Sequence, residues 1–246
     1  MNQRSFQWMA YACIFVMILS SCSSKRASTP RVLVFTKTDG FHHESIPSGV
    51  VALQTLCKNN GIEMDTTSNS RFFTEDSLRP YGAVIFLSTT GNILEGNQEI
   101  ALERYIQSGG GFVGIHAASD AEYDWRWYGQ MIGAAFDSHP AQQDAILNII
   151  DTSHLATIGL PKQWKRFDEW YNFKNIANDN HILISIDEQS YQGGKNGKSH
   201  PMSWYKTFDG GRVFYTELGH TNEAFQEPLF LQHILGGIQY AIGDNK

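Results

Sequence analysis

The stretch GGGFVGIHAASD, Gly109 to Asp120, indicates the fold of this chain more clearly than any other segment. A glycine turn leads into an apolar run, Phe112 to Ile115, that stops at His116. An apolar run without alternation is typical of a parallel strand that is buried on both faces. Because open α/β sheets bind ligands at the carboxyl ends of their strands, we expect His116 to lie at the mouth of a site. A core histidine bonded to a neighbour is the alternative interpretation.

Similar short apolar runs alternate with helical segments along the first half of the chain. Strands are predicted at residues 32–36, 62–66 and 83–87 besides the run before His116, with helices at 47–60 and 96–109. Later runs at 145–150, 182–186, 202–205 and 213–216 are strand-like, and a last helix covers 229–242. Four β units that alternate with helices predict an α/β fold with a doubly wound, mainly parallel sheet and helices on both faces.

Residues 1–21 have the pattern of a bacterial lipoprotein signal peptide. Arg4 supplies a positive charge, residues 8–19 are apolar but too few for a mature anchor helix, and Leu19-Ser20-Ser21-Cys22 resembles a lipobox. The pattern predicts lipid attachment at Cys22, a tether over 22–30 and one domain over 31–246. We therefore expect an exported, membrane-anchored lipoprotein that faces the periplasm or the cell surface. An ordinary secretory signal is the alternative.

Composition argues against a nucleic-acid partner and against a disulfide. The formal net charge is −6 and no block of Lys or Arg occurs, so the chain has no electrostatic footprint for nucleic acid. Beyond Cys22 the chain holds only Cys57, which excludes an intrachain disulfide in the mature protein. Cys57 is predicted to be a buried structural thiol. No nucleotide cofactor is expected.

Five of the nine histidines follow predicted strands or stand at turns next to proline. They are His43, His116, His139, His200 and His220. Gathered at one edge of a sheet, loop histidines would form a cleft with the capacity for proton transfer, and we predict that these five converge. Asp120 and Glu169 occupy similar positions, and the aromatic neighbours of Glu169 favour a general acid. A solvated surface acid is the alternative for Glu169.

Aromatic side chains and the pattern of metal ligands complete the candidate site. Most of the rings after His116 are expected in the core, but Trp170 is predicted to line the pocket, where a flat ring can stack on a sugar. No His-x-x-x-His or HExxH motif is present, so spacing does not indicate a metal. Distant loop histidines could nevertheless meet around Zn²⁺ or another divalent ion.

Several segments together resemble the trehalose-utilisation, or ThuA-like, family. They are VLVFTKTDGFHHESI from Val32, GGGFVGIHAASD, SHP, DEWY, HPMSW and GRVFYTELGH, in order over about residues 31–243. The resemblance implies a class I glutamine-amidotransferase-like, flavodoxin-type fold and a role in sugar catabolism. It also implies 3-keto-glycosides, formed by a partner sugar dehydrogenase, as substrates. The pocket residues that it marks are His43, His116, Asp120, His139, Glu169, His200 and His220.

The comparison with glutamine amidotransferases excludes one reaction. Those enzymes carry a nucleophilic cysteine on the turn after this strand, where the present chain has Ala117 and Ala118. Glutamine hydrolysis through a thioester is therefore excluded.

The sequence thus favours an enzyme that acts on a small carbohydrate by elimination, isomerisation or hydrolysis, with or without a metal ion. A keto group acidifies the neighbouring C–H bonds, so a base such as His116 or Glu169 could remove a proton, and Asp120 is the third predicted catalytic residue. The remaining histidines and Trp170 would bind the substrate. A non-catalytic sugar-binding lipoprotein is the alternative, and the density of titratable groups favours the enzyme.

Overall fold

A computed structural model describes residues 29–243. The predicted signal peptide, Cys22 and the tether up to residue 28 lie outside the described residues. The described part forms thirteen strands: β1 (Arg31–Phe35), β2 (Glu63–Thr67), β3 (Ala83–Leu87), β4 (Thr90–Gly91), β5 (Gly111–Ile115), β6 (Asp120–Ala121), β7 (Ala135–Ser138), β8 (Gln143–Ile149), β9 (Gln163–Asp168), β10 (Asn172–Lys174), β11 (His181–Ile186), β12 (Pro201–Phe208) and β13 (Gly211–Thr216). It also forms five α-helices: α1 (Ile46–Asn59), α2 (Glu75–Leu78), α3 (Asn97–Gln107), α4 (Arg126–Ile132) and α5 (Pro228–Ile242). None of these helices is long and apolar enough to cross a membrane.

Nine strands form one central sheet in the order β2-β1-β3-β5-β13-β12-β11-β8-β9. The strands from β2 to β13 in that order run parallel to their neighbours. The strands β12, β11, β8 and β9 extend the sheet with antiparallel pairing. The predicted α/β class with a flavodoxin-like, doubly wound sheet is confirmed, and the antiparallel extension enlarges it on one side.

Helices cover both faces of the sheet. The ring of Phe112 lies 6.0 Å from that of Tyr128 in α4, and the ring of Phe214 lies 5.2 Å from that of His233 in α5. Phe214 pairs in register with Val113, the neighbour of Phe112. Because successive residues of a strand point to opposite faces, α4 and α5 lie on opposite sides of the sheet.

The central strand β5 is buried at all five positions, as its unbroken apolar pattern predicts. Gly111 begins this strand where α5 approaches most closely, and a Cβ atom there would lie 2.3 Å from the carbonyl oxygen of Ala241. Cys57 is fully buried on α1, in agreement with the predicted structural thiol. The close approach of α5 at Gly111 anchors the strand that carries His116.

The strand β9 is the one strand of the central sheet that the sequence pattern does not predict, and α3 exposes one apolar residue. The strand β9 has no counterpart among the predicted strands, because Arg166 and Asp168 face inward while Phe167 faces solvent, which hides the usual alternation. On α3, Leu102 is buried, whereas Ile100 is 43% exposed. A separation of two residues places Ile100 about 200° around the helix from Leu102, on the solvent side.

Candidate functional site

Four side chains from different loops meet at the carboxyl edge of the parallel strands. His43 follows β1, His116 follows β5, His220 follows β13, and Glu169 follows β9. One ligand atom from each lies within 4.8 Å of the others. We call these four residues the histidine centre. The strand ends bring them together, as expected for an open α/β sheet.

The backbone at His116 is held in an unusual conformation. Its φ angle is +52°, in the left-handed region that side chains with a Cβ rarely adopt. The Tyr215 hydroxyl donates to the carbonyl oxygen of His116 at 2.7 Å and lies 2.8 Å from the Ser119 hydroxyl. A sharp turn after a central parallel strand is also the geometry of the nucleophile elbow, here with an imidazole at the turn. Strain of this kind persists at functional sites where the surroundings enforce it.

One ring nitrogen of His116 faces more partners than it can satisfy. Its Nδ1–H donates to the carbonyl oxygen of Glu217 at 2.7 Å, so in the neutral ring Nε2 carries the lone pair. That Nε2 lies 3.2 Å from Nε2 of His43, 3.1 Å from Nδ1 of His220 and 3.3 Å from the Tyr171 hydroxyl. A single lone pair cannot accept hydrogen bonds from all three groups.

Burial keeps two of the three imidazoles neutral near pH 7. Burial, aided by the neighbouring His220, lowers the pKa of His43 to about 4. Burial, with His43 and His220 nearby, holds the pKa of His116 well below its ordinary value. Burial also opposes a charge on His220, but the hydrogen bond and the negative charge of Glu169 outweigh it and raise the pKa of His220.

Glu169 links the histidine centre to His139. Its Oε2 lies 3.1 Å from Nδ1 of His220 and 3.7 Å from Nε2 of His116. Its Oε1 lies 3.1 Å from Nδ1 of His139, which also lies 2.9 Å from the carbonyl oxygen of Pro140. Both neighbours of that Nδ1 are acceptors, so Nδ1 carries a proton and, in the neutral ring, Nε2 carries the lone pair. The His139 side chain is 44% exposed, and its ring can therefore meet a ligand from solvent.

A second buried carboxylate, Asp168, ties two loops of the centre together. Its Oδ1 accepts the backbone N–H groups of Glu169 and His220, each at 3.1 Å. Its Oδ2 accepts the backbone N–H of Gly219 at 3.0 Å and a guanidinium N–H of Arg166 at 2.9 Å. The guanidinium of Arg166 stacks 4.8 Å from the centroid of the Trp164 ring. Asp168 thus holds Glu169 and His220 in a fixed relation.

The donor set fits a divalent metal ion. Three imidazoles and one carboxylate are the ligands that zinc and related first-row ions take in proteins. Nδ1 of His43 is buried and has no hydrogen-bond partner among the described residues. The polar contact of this ring is therefore made by Nε2, which faces the centre. A cation shared by these ligand atoms would remove the competition for the lone pair of His116. Gln142, whose amide contacts Nε2 of His220 at 2.8 Å, could orient that ring by either end of the amide.

The other predicted site residues lie outside the histidine centre. Asp120 is partly buried on β6, where its Oδ1 accepts the Tyr123 hydroxyl at 2.5 Å, and burial raises its pKa. His200 is fully buried between the Glu188 carboxylate, 2.8 Å from Nδ1, and the carbonyl oxygen of Tyr171, 2.7 Å from Nε2. His200 therefore supports the segment that carries Tyr171 and has no ring atom free for a substrate.

The prediction that Trp170 binds substrate requires correction. Its side chain is fully buried, and its indole N–H donates to the carbonyl oxygen of Gln143 at 2.9 Å. The residue is part of the core, in the segment 168–172 that is buried at every position. His43 and His220, predicted to bind substrate, lie inside the histidine centre.

Sequence reasoning missed the groups that position the centre: Asp168, Tyr171 and Gln142. None of them has a clear local signal, because the charged residues on the inward face of β9 hide the alternation that would place Asp168 beside Trp164. Tyr171 and Gln142 contact the centre through tertiary packing alone.

Comparison with known proteins agrees with the fold and shows the family. The sequence model of the ThuA family, described as trehalose utilisation, matches residues 31–241. The chain belongs to the ThuA family. The match spans the loops that carry the histidine centre, and the family description connects the protein with sugar metabolism. Comparison with curated proteins gives no significant match.

Solved structures share the fold of this ThuA family member at low sequence identity. A ThuA-like protein from Bacteroides uniformis has a TM-score of 0.74 and 21% identity, covering 89% of this chain and 94% of that one. A ThuA-like protein from Parabacteroides merdae has the same TM-score of 0.74 and 21% identity, with coverages of 88% and 91%. A GMP synthase protein from Thermoplasma acidophilum has a TM-score of 0.55 and 10% identity, with coverages of 88% and 96%. The last similarity is consistent with a glutamine-amidotransferase-like fold.

Proposed function

We propose that this protein is an enzyme of sugar catabolism that acts on glycosides, or on their 3-keto forms, by proton transfer beside a divalent metal ion. The position of Glu169 carries the proposal. One carboxylate oxygen faces the histidine centre and the other lies 3.1 Å from Nδ1 of His139. An exposed acid–base group therefore stands next to a set of metal ligands.

In this proposal His43, His116, His220 and Glu169 hold the cation. When bound, the cation would act as a Lewis acid toward a carbonyl or hydroxyl oxygen of the sugar. The burial of His116, with its Nε2 inside the centre, supports a role as ligand rather than as the base that touches substrate. The arrangement leaves the proton transfer to His139.

The proposed reaction on a 3-keto-glycoside begins at C2, whose C–H bond is acidified by the ketone. Nε2 of His139 takes the C2 proton while its Nδ1–H is directed to the carbonyl oxygen of Pro140 and the negative charge of Glu169, 3.1 Å from Nδ1, stabilises the imidazolium that forms. The C–H electron pair forms a C1=C2 double bond conjugated with the ketone, and the C1–O bond breaks with its electrons on the leaving oxygen. Protonated His139 then returns a proton to that oxygen. Addition of water to the double bond completes a net hydrolysis without a nucleophilic side chain.

The sequence adds two proposals about the setting of the reaction. Lipid attachment at Cys22 would hold the protein on a membrane that faces the periplasm or the cell surface. A sugar dehydrogenase that oxidises C3 of a glycoside would supply the substrate. Changing Cys22 to Ala should release the protein from membrane fractions, and complete retention of the variant would place the anchor elsewhere.

Metal binding is tested first on the purified protein. We expect close to one equivalent of a divalent ion, lost on chelation and restored by Zn²⁺ titration. With free metal at a thousand times its dissociation constant, binding would stabilise the fold by about 4 kcal/mol, or about 8 to 16 °C in Tm. His116→Ala should abolish this increment, whereas His181→Ala, which changes an exposed histidine on β11, should keep it. If His116→Ala kept the full metal-dependent increase in Tm, the proposal that the histidine centre binds the ion would be wrong.

Catalysis is tested with trehalose, methyl α-D-glucopyranoside and the 3-keto form of each in D₂O. We expect deuterium at C2 and cleavage of the 3-keto forms by the metal-loaded protein. His139→Ala should lower both by about 10²- to 10⁴-fold without weakening metal binding, since general-base catalysis contributes factors of that size. His181→Ala is again the control. Tight binding of a sugar with neither exchange nor cleavage would indicate a sugar-binding protein instead.

A further inference from the structure

An aromatic ring stands exposed beside the histidine centre. Phe41 is 64% exposed, although most phenylalanines of this chain are packed in the core. Its ring meets the ring of His43 edge to face, with centroids 4.8 Å apart and an angle of 84° between the planes. Phe41 thus combines an open apolar surface with direct contact to a residue of the centre.

The backbone of Phe41 is fixed although the ring is exposed. The Thr90 hydroxyl donates to the carbonyl oxygen of Phe41 at 2.8 Å, and the N–H of Asp39 donates to the carbonyl oxygen of Thr90 at 2.8 Å. The loop also packs tightly against Gly91, where a Cβ atom would lie 2.8 Å from the backbone nitrogen of Gly40. A ring on such a rigid loop loses little conformational freedom when a ligand covers it.

A cleft of about 400 Å³ joins Phe41 to the centre. His43 and His220 line its inner end, and Phe41, Asn222 and Glu223 line its outer part. The Ser48 hydroxyl donates to Oδ1 of Asn222 at 2.7 Å and so orients that amide. The cleft therefore offers one apolar ring, one oriented amide and the carboxylates of Glu44 and Glu223, which suit a ligand with an apolar face and a rim of hydroxyl groups.

We propose that Phe41 is the stacking platform for the second ring of a two-ring glycoside whose glycosidic bond lies at the histidine centre. The C–H groups on one face of a pyranose carry partial positive charge and are attracted to the negative face of an aromatic ring. Asn222 and Glu223 would bind the hydroxyls of the same pyranose. This inference deepens the proposed function and rests on it, since it names the class of glycoside that the site prefers.

The proposal is tested by comparing one-ring and two-ring probes on the metal-loaded protein. The probes are methyl α-D-glucopyranoside and trehalose, each also as its 3-keto form, with binding measured by calorimetry and turnover by product analysis. Phe41→Ala should raise Kd and KM for the two-ring probes about three- to tenfold, with kcat and the one-ring probe unchanged within twofold. Phe41→Tyr should restore binding of the two-ring probes, because it keeps the ring.

Val51→Ala is the matched control, because Val51 is an apolar side chain on α1 that is 63% exposed. It should bind and convert every probe as the unchanged protein does. If Phe41→Ala changes Kd and KM equally for one-ring and two-ring probes, or changes them for neither, the proposal of a stacking platform is wrong while the proposed function stands. If the unchanged protein neither binds nor converts any of the glycosides, both proposals fail.

Discussion

The buried histidine of α5 should make the stability of this protein depend on pH in a measurable way. His233 is fully buried, with Nδ1 2.7 Å from the carbonyl oxygen of Ala156 and Nε2 3.0 Å from the Ser203 hydroxyl. Burial lowers the pKa of His233 to about 4 from its ordinary value of 6.5. The unfolded chain therefore binds a proton at this ring between pH 6.5 and 4, and the folded chain does not.

The sign and the size of the effect follow from this difference. Because folding lowers the pKa of His233, protons bind the unfolded chain first as the pH falls. The free energy of unfolding is therefore unaffected by this ring above pH 6.5, decreases between pH 6.5 and 4, and is constant again below pH 4. Each unit of pKa difference corresponds to about 1.4 kcal/mol, so protonation of His233 should cost about 3 kcal/mol of unfolding free energy over this interval.

Urea denaturation between pH 4 and 7.5, in the presence of a chelator, measures the effect. His233→Gln removes the titrating ring, and the variant should lose less free energy than the unchanged protein as the pH falls, by about 1.4 kcal/mol per pH unit near pH 5. The histidines of the centre titrate in both proteins and cancel in the difference. Parallel curves for the two proteins between pH 4.5 and 6 would refute the reasoning.

Two further substitutions test the supports of the site and the sheet. Asp168→Asn should weaken Zn²⁺ binding about 10- to 100-fold in a competition titration, because it loosens the loops of two ligands, whereas Asp144→Asn on the exposed face of β8 should not change it. Equal affinities would contradict a positioning role for Asp168. Gly111→Ala should lower Tm by several degrees, because its Cβ meets the backbone of α5, whereas Gly129→Ala meets nothing within 4 Å and should leave Tm unchanged or higher. Equal Tm values for the two alanine variants would contradict that close approach.

Much of the parallel half of the sheet could be predicted from local pattern. The strands β1, β3 and β5 have unbroken apolar runs because both of their faces are covered, and this signal survives in sequence alone. The strand β9 could not be predicted in the same way. Its inward residues include Arg166 and Asp168, whose charges are compensated by each other and by backbone N–H groups from another loop. No local pattern reveals such a partner.

The site likewise has residues that sequence predicts and residues that only tertiary packing assigns. Sequence placed His43, His116 and His220 at strand ends, and an α/β sheet gathers its strand ends at one edge. Sequence could not decide which of the neighbours Glu169 and Trp170 belongs to the site, because both follow β9. Packing alone decides that the carboxylate reaches His220 while the indole enters the core.

The sequence by itself therefore determined the fold class, the family and the edge of the sheet where the chemistry lies. Only the tertiary structure decided which nitrogen of each imidazole faces the centre. The Nδ1 proton of His116 is directed to the carbonyl oxygen of Glu217, which is far away along the chain, and this contact leaves Nε2 for the centre. The periodicity of a strand is a local property, whereas the direction of a lone pair depends on partners that folding alone brings within about 3 Å of each other.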